Sequence, residues 1–401
     1  DVDKTIRSLG GVRLKSDPCV WIFFDPKPDD PNQPEVVGAL CAHVDDFILG
    51  GNEDCAAWCE FVKSFHAKYE WSPWEATNFM HCGVEVSQHE DFSFTLSHKD
   101  FCEDVKQMHV TKNEDRELTE AEVSQARAVL GSIQWRVYQT APHHAAKLSY
   151  LQSLLAQKSA KILEPLNKLV REVHAAKHLA PHVQSFGAVD VTDYVMVAWS
   201  DAALANRPDL GSTGGHIIGF MSRDSVARGH GKVNVLSWRS SKLARVARSS
   251  LAAEAQALAD TEQELMFLRL QWAEMNGQHL DLTAPHETSK SVTAFLIVDA
   301  KAMFDTLNKG EIASSGFSMK DKYTALELQA LTQHIQEQET KLLWCDSDHQ
   351  LADGLTKAQK QDVLKSFLTA GVWRIRLDGA YISAKKRKAL GQTSSPTTAS
   401  T

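Results

Sequence analysis

The chain has 401 residues and a mass of 44.5 kDa, enough for two or three domains that each bury a core. At 43% hydrophobic and 23% charged it has the composition of an ordinary globular protein. With Lys+Arg 43 against Asp+Glu 51, the net charge of -8 excludes a protein that coats nucleic acid non-specifically, but not an enzyme with a local basic groove.

Taken in chain order, two strand-like runs flank the Pro/Asp-rich stretch Asp25 to Glu35, which reads as a loop. The second run contains "VVGALCAHVDDFILGG", Val36 to Gly51, a hairpin pattern with Asp45 and Asp46 between two apolar stretches. Burying unpaired carboxylates is costly, so this pair asks either for a cation or for the exposed tip of a turn. "NEDCAAWCEFVKSFHAKY" has helical periodicity, and "MHCGVEVSQHEDFSFTLS" alternates as a second hairpin turning at His89 to Asp91. Leu118 to His178 is a run of helical segments rich in Ala, Leu, Gln and Lys.

From Tyr194 the texture changes. Three strand signals, "YVMVAWSDAALA", "GGHIIGFM" and "KVNVLSW", precede a long helix from about Leu251 to Met275. A strand at "SVTAFLIVDA", helices at "AMFDTL" and "YTALELQALTQHIQEQ", a strand at "KLLWC" and a helical segment at "QLADGLTKA" follow. Three consecutive strands and then alternation predict a mixed sheet flanked by helices, an α+β or α/β class. The final stretch, Gly391 to Thr401, reads as a polar disordered tail. Just before it, "KKRK", Lys385 to Lys388, fits a nuclear import signal, although the solvated end of a helix accounts for it more simply.

No apolar run reaches the roughly 18 residues of a membrane span, and no signal-peptide pattern opens the chain, so an intracellular protein without membrane contact is expected, cytoplasmic or nuclear. Seven cysteines without a repeating spacing fit a reducing compartment rather than a disulfide framework. Cys55 and Cys59 have the spacing of one helix face, but no second close Cys or His pair with finger spacing follows, and buried thiols are the expectation rather than zinc. The first residue is Asp1 rather than methionine, which suggests an internal piece of a longer product.

Four acids of the second half stand out. Asp201 follows "VMVAW" at the end of a strand, where open α/β sheets place reacting groups. Glu254, in the first turn of the long helix that Ser249 or Ser250 caps, shares a stripe with Leu258, Leu265, Leu268 and Trp272 and so faces the core. Asp299 ends the strand "TAFLIVD", and Asp353 sits in a loop-to-helix stretch. Each alone is explained as a cap or turn residue; together they can converge, and converging hard oxygens suit Mg²⁺ or Mn²⁺ in a two-metal cluster for phosphodiester hydrolysis.

"SDAALANRPDLGSTGGHIIGF", "LSWRSSKLARVARSSLAAEAQAL", "VDAKAMFDTL" and "DHQLADGLTK" resemble, in order, the ribonuclease H domain of copia-type retrotransposon polyproteins. The resemblance implies catalytic, metal-binding roles for Asp201, Glu254, Asp299 and Asp353. Ala300 stands where that family usually has asparagine, and Leu204 where it has tryptophan. The first half resembles the reverse transcriptase of the same family. "HVDDFILGG" is similar to its polymerase motif, with His43 at a position commonly tyrosine or phenylalanine, and "RAVLGSIQWRVYQTAPHHAAKLS" to the connection before the nuclease. On this reading Asp45 and Asp46 form a hairpin turn that holds Mg²⁺, and the opening "IRSLGGVRLKSDPCVWIFF" lies downstream of the fingers and first palm aspartate, leaving the polymerase site incomplete.

The implied organisation is a partial palm over residues 1–115, a helical thumb or connection over 116–190, a ribonuclease H-like domain over 191–384 and a tail over 385–401. Arg239, Lys242, Arg245 and Arg248 lead toward Glu254; they suit phosphates of a hybrid duplex, with Trp238 beneath, as well as they suit a solvated loop. Ser212 and Thr213 are candidates for contacts to sugar hydroxyls, by which proteins tell RNA from DNA. His349 reads as a plain loop histidine, with a mobile base as the sharper alternative. The expected partners are an RNA/DNA hybrid, a template-primer and the remainder of the Pol polyprotein. The rival expectation is a catalytically decayed remnant that at most binds nucleic acid.

Overall fold

A computed structural model describes residues 1–27, 30–110, 115–187, 190–309 and 321–375. Helix α1 (Val2–Ser8) is followed by a four-stranded antiparallel sheet in sequence order, β1 (Val12–Arg13), β2 (Val20–Lys27), β3 (Asp30–His43) and β4 (Asp46–Gly51). Strand pairing reaches Lys27 and resumes at Asp30, so ladder occupies most of the stretch expected to be loop. Helix α2 (Ala56–His66) lays Trp58, Phe61 and Phe65 against Trp21, Phe23 and Leu40. Glycine is required beneath Trp58: a Cβ on Gly38 would lie 2.1 Å from its ring.

The predicted second hairpin is a three-stranded meander, β5 (Asn78–His81), β6 (Val84–Gln88) and β7 (Phe94–Ser97). The extra turn is Cys82-Gly83, with φ of 49° and 80°; positive values at both central residues are the pattern of a type I′ hairpin. After α3 (Lys99–Asp104), the helical stretch resolves into α4 (Glu120–Gln139), α5 (Ala145–Leu155) and α6 (Leu163–Ala175). A capping box starts α4: Thr119 Oγ1 accepts from the Glu122 amide, and Glu122 accepts from the Thr119 amide at 2.9 Å.

The second half is built on five strands, β8 (Tyr194–Ala203), β9 (Thr213–Ser222), β11 (Asn234–Lys242), β12 (Ala294–Val298) and β13 (Lys341–Trp344), in the order β11-β9-β8-β12-β13. β9 runs antiparallel to both β8 and β11, whereas β12 runs parallel to β8 and β13 parallel to β12. Between β9 and β11 lie helix α7 (Arg223–Arg228) and the short strand β10 (His230–Lys232), which pairs with β14 (Val372–Arg374); the sequence does not signal this side ladder. Helices α8 (Ser250–Met275), α9 (Pro285–Lys290), α10 (Lys301–Lys309), α11 (Lys322–Glu337), α12 (Asp353–Thr356) and α13 (Gln361–Ala370) complete the fold. The mixed sheet flanked by helices is the expected class.

Alternation along β8 divides the core. Val195, Val197 and Trp199 face one side and join Ile217 and Met221 with residues of α4, α5, α6, α12 and α13; Met196 and Ala198 face the other, with Ile218, Phe220 and the apolar stripe of α8. One hydrophobic cluster therefore runs from Leu130 and Val137 of the helical stretch to Trp199 and Phe367 of the sheet and its C-terminal helices. Each such fully buried aliphatic side chain contributes about 1.5–3 kcal/mol. Polar bonds tie the same layers: Arg207 donates to Ser149 Oγ at 2.6 Å, and Trp238 Nε1 to the Val137 carbonyl at 2.8 Å. The opening sheet is pinned elsewhere, where Glu274 of α8 accepts from the amides of Lys15 and Ser16 at 2.7 and 2.9 Å. The tail over 385–401, with its KKRK run, lies outside the described residues.

Candidate functional site

Asp201, Glu254 and Asp299 come to one place from three elements. Asp201 lies within β8, which runs on to Ala203, so it is inside the strand rather than at its end and is 1% exposed. Ser249 caps α8 by accepting from the Ala252 amide at 3.1 Å, which puts Glu254 in the second helical turn, not the first as the sequence suggests. Asp299 directly follows β12, where Ser347 Oγ donates to its Oδ2 at 3.0 Å and Trp344 Nε1 to its carbonyl at 2.9 Å. One carboxylate oxygen from each of the three lies within 4.8 Å of the others. That span is little more than the roughly 4.2 Å across an octahedral Mg²⁺ shell.

Asp353, the fourth acid, is 1% exposed at the start of α12 but does not belong to that group of three. Lys357, one turn on, joins the two: its ammonium meets Asp353 Oδ1 and lies 3.2 Å from Asp201 Oδ1. Thr356 donates its hydroxyl hydrogen to Asp201 Oδ2. Gly215, paired with Asp201 across the ladder, makes this approach possible, since a Cβ there would stand 2.8 Å from Leu355 Cβ of α12. Sequence reasoning missed Lys357, Thr356 and Gly215. The acid-to-lysine spacing of four in "ADGLTK" is the signal by which Lys357 could have been found.

The electrostatics follow from burying several acids together. Burial pushes Asp201 up to about 7, against the pull of the Lys357 ammonium and with a further push from Asp353. Glu254 is raised to about 9 by burial and by the neighbouring Asp201 and Asp299, and Asp299 is raised chiefly by burial. Lys357 is held protonated above its usual range, the charges of Asp201 and Asp353 outweighing its own burial. A group of carboxylates that resist ionisation together is one that a cation would relieve, and hard oxygen donors suit Mg²⁺ or Mn²⁺.

The remaining candidates are dispersed. Asp45 and Asp46 are exposed at the tip of the β3–β4 hairpin, so the turn alternative holds for their placement. Val44 precedes them at φ 59° and is 88% exposed, a left-handed backbone that a β-branched residue rarely adopts. Among the described residues no third acid joins this pair. Of the basic segment, Lys242 pairs with Asp209 and Arg245 with Glu327, Arg248 stacks 5.7 Å from the Tyr323 ring centroid, and Arg239 is exposed.

Ser212 and Thr213, the candidates for sugar contacts, are buried, at 5% and 4% exposed. The Ser212 hydroxyl accepts from the Ala205 amide at 3.1 Å, and Thr213 Oγ1 accepts from Arg207 Nε at 3.0 Å and donates to Asn206 at 2.8 Å. Trp238 anchors β11 to α4 instead of underlying a ligand, and His349 is held by Asp346 through its Nδ1. Cys55 is buried as expected, but Cys59 is exposed.

No family model matches the sequence, and no curated protein matches it either. Among solved structures, an RNase H1 isolated from compost by a metagenomic approach is similar over 42% of this chain and 98% of that one, at 12% identity and a TM-score of 0.28. The foamy viral protease-reverse transcriptase in complex with dsDNA is similar over 42% of this chain and 95% of that one, at 13% identity and a TM-score of 0.26. In its complex with RNA/DNA hybrid the match covers 82% of this chain but 43% of that one, at 9% identity and a TM-score of 0.26. At these values the likenesses carry no weight of their own, and the functional reading rests on the acids and their neighbours.

Proposed function

We propose that the chain is a divalent-metal-dependent nuclease that hydrolyses the RNA strand of an RNA/DNA hybrid, and that it belongs to a copia-type retrotransposon Pol polyprotein, joined to part of a reverse transcriptase palm. The observation that carries this is the meeting of Asp201, Glu254 and Asp299, from a strand, a helix and a strand end, with oxygens within 4.8 Å of one another. Their all-carboxylate donor set fits Mg²⁺ or Mn²⁺, with Asp201, Glu254 and Asp299 as the residues that would hold it and Asp353 as the candidate for a second ion. When bound, such a pair of ions supplies an acidified water and charge stabilisation for in-line attack at phosphorus.

The chain's own residues do the positioning. Thr356 donates to one oxygen of Asp201 and Ser347 to one oxygen of Asp299, which holds both carboxylates in place. Arg239, Lys242, Arg245 and Arg248, on β11 and the loop into α8, are the proposed contacts to hybrid phosphates; three of them exchange an internal partner for a phosphate on binding. The Asp45–Asp46 hairpin is the proposed half of a polymerase site, toward a template-primer.

The test is a hybrid labelled on the RNA strand, incubated with the chain in Mg²⁺ or in chelator. Cleavage of the RNA in Mg²⁺ alone, and its near-abolition in Asp201→Asn with unchanged circular dichroism, is the expected result. Equal cleavage by Asp201→Asn refutes this site and puts the nuclease elsewhere; no cleavage by the parent chain refutes the reading and leaves a decayed remnant.

A further inference from the structure

The fourth acid is fully buried yet stands apart from the other three, and what separates it is a lysine. Both oxygens of Asp353 face ammonium groups: Oδ1 meets Lys357, and Oδ2 lies 3.8 Å from Lys360. The Lys357 ammonium also lies 3.2 Å from Asp201 Oδ1, and the other Asp201 oxygen accepts from Thr356. Lys357 thus sits between a member of the three-acid group and the acid left out of it. An ammonium is a compact point charge with three donors, which suits a position between two carboxylates.

We propose that Lys357 is a built-in counter-cation: it holds Asp353 and one oxygen of Asp201 until a divalent cation takes them, and so sets how tightly the cluster binds metal. The inference rests on the reading of the cluster as a metal centre. A divalent ion that uses Asp201 or Asp353 must displace the lysine from the oxygen it needs, or bind close to a positive charge. Either costs affinity. Because α12 spans only Asp353–Thr356, Lys357 lies just past the helix and the end of its chain can swing out without unwinding more than one turn. Lys357 is therefore a positioning residue that tunes the acids, and it makes no contact with the substrate in this role.

The effect runs opposite to that of a structural residue, because its removal should improve binding. Because the displaced ammonium swings into solvent, the permittivity that applies approaches that of water, and losing one positive charge about 4 Å from a divalent ion then raises affinity by about tenfold to a hundredfold. The experiment is calorimetric titration of Mn²⁺ into the full chain stripped by chelator, for the parent, Lys357→Met, Lys357→Arg and Asp201→Asn. Tighter binding by Lys357→Met within that range, with Lys357→Arg close to the parent, supports the proposal. So does a lower melting temperature of Lys357→Met in chelator that saturating Mn²⁺ restores. Equal or weaker Mn²⁺ binding by Lys357→Met overturns it. Should Lys357→Met not fold without metal, it is purified in Mn²⁺ and its affinity read by competition with a chelator of known strength, where weaker or equal retention overturns the proposal in the same way. Parent and Asp201→Asn binding Mn²⁺ alike would refute the metal centre itself; loss in Asp201→Asn without tightening in Lys357→Met would refute only the role of Lys357.

Discussion

His143 and His144, in the turn between α4 and α5, are both 0% exposed, stack with ring centroids 4.0 Å apart, and have no hydrogen-bond partner at any of their four ring nitrogens. Burial drives His143 down to about 3 from an ordinary 6.5, aided by the charges of Arg136, Lys365 and His178, and drives His144 down as well. A histidine depressed in the folded chain contributes stability that is complete above the unfolded value and is lost as pH falls from 6.5 toward the folded value. Between pH 7.5 and 4.5 the unfolded chain gains nearly one proton at His143 that the folded chain refuses, which amounts to about 2.7 kcal/mol. Asp201, Glu254 and Asp299, raised by burial, slope the opposite way over part of this range, so the wild-type curve alone does not isolate the histidine. The difference between His143→Leu and wild type does. We expect His143→Leu to gain about 2.7 kcal/mol on wild type between pH 7.5 and 4.5, read as roughly 3–5 °C in melting temperature measured in chelator. Removing an unsatisfied buried ring should also leave the variant no less stable at pH 7.5. Parallel melting curves for the two proteins across this range would show that the ring titrates normally, and the account of its burial would be wrong.

Arg269, 1% exposed, donates to the Val292 and Gln338 carbonyls at 2.8 and 2.9 Å and to Thr340 at 2.9 Å, near the buried Glu262. Arg269→Met should cost about 3–5 kcal/mol by thermal unfolding, because the carbonyls lose their donor and Glu262, which accepts from Gln338 Nε2, loses a neighbouring positive charge; a cost under 1 kcal/mol would show that water replaces the guanidinium. Thr119→Ala removes the α4 capping box and should cost about 1 kcal/mol in denaturant titration, with an unchanged midpoint counting against the cap. Arg245→Ala with Arg248→Ala should flatten the salt dependence of hybrid binding by about one counterion per lost phosphate contact. An unchanged slope would return both to their partners Glu327 and Tyr323.

The strands and long helices were legible because their signals are local: β8 alternates between two apolar faces, and Ser249 marks the start of α8. The acids of the cluster could be singled out because Asp201 and Asp299 follow apolar strand runs and Glu254 lies on a core-facing stripe. What lay beyond the sequence is long-range. Ser212 and Thr213 look exposed in a Gly-rich stretch, but Ala205, Asn206 and Arg207 fold back onto their hydroxyls. The separation of Asp353 from the other acids depends on where a lysine side chain goes, and a residue string does not carry that. The Cys82-Gly83 turn was hidden because Cys is an unusual residue at positive φ, so a meander read as a hairpin.

The continuous cluster from Leu130 to Phe367 has a consequence for how such a chain can change. The helical stretch, together with α12 and α13, covers one face of the sheet, so the two cannot be inherited apart. An exchange of segments anywhere between α6 and β8 would join a set of helices to a sheet shaped for other helices, and Val197, Trp199 and Ile217 would meet gaps or clashes. A sheet cut free at Tyr194 would show the same residues to water as an open apolar face and would associate rather than stay single. Variation in these two stretches is therefore tied, with changes at Leu130, Ile133 or Val137 answered by changes in the sheet, while the exposed hairpin around Asp45 remains free to vary on its own.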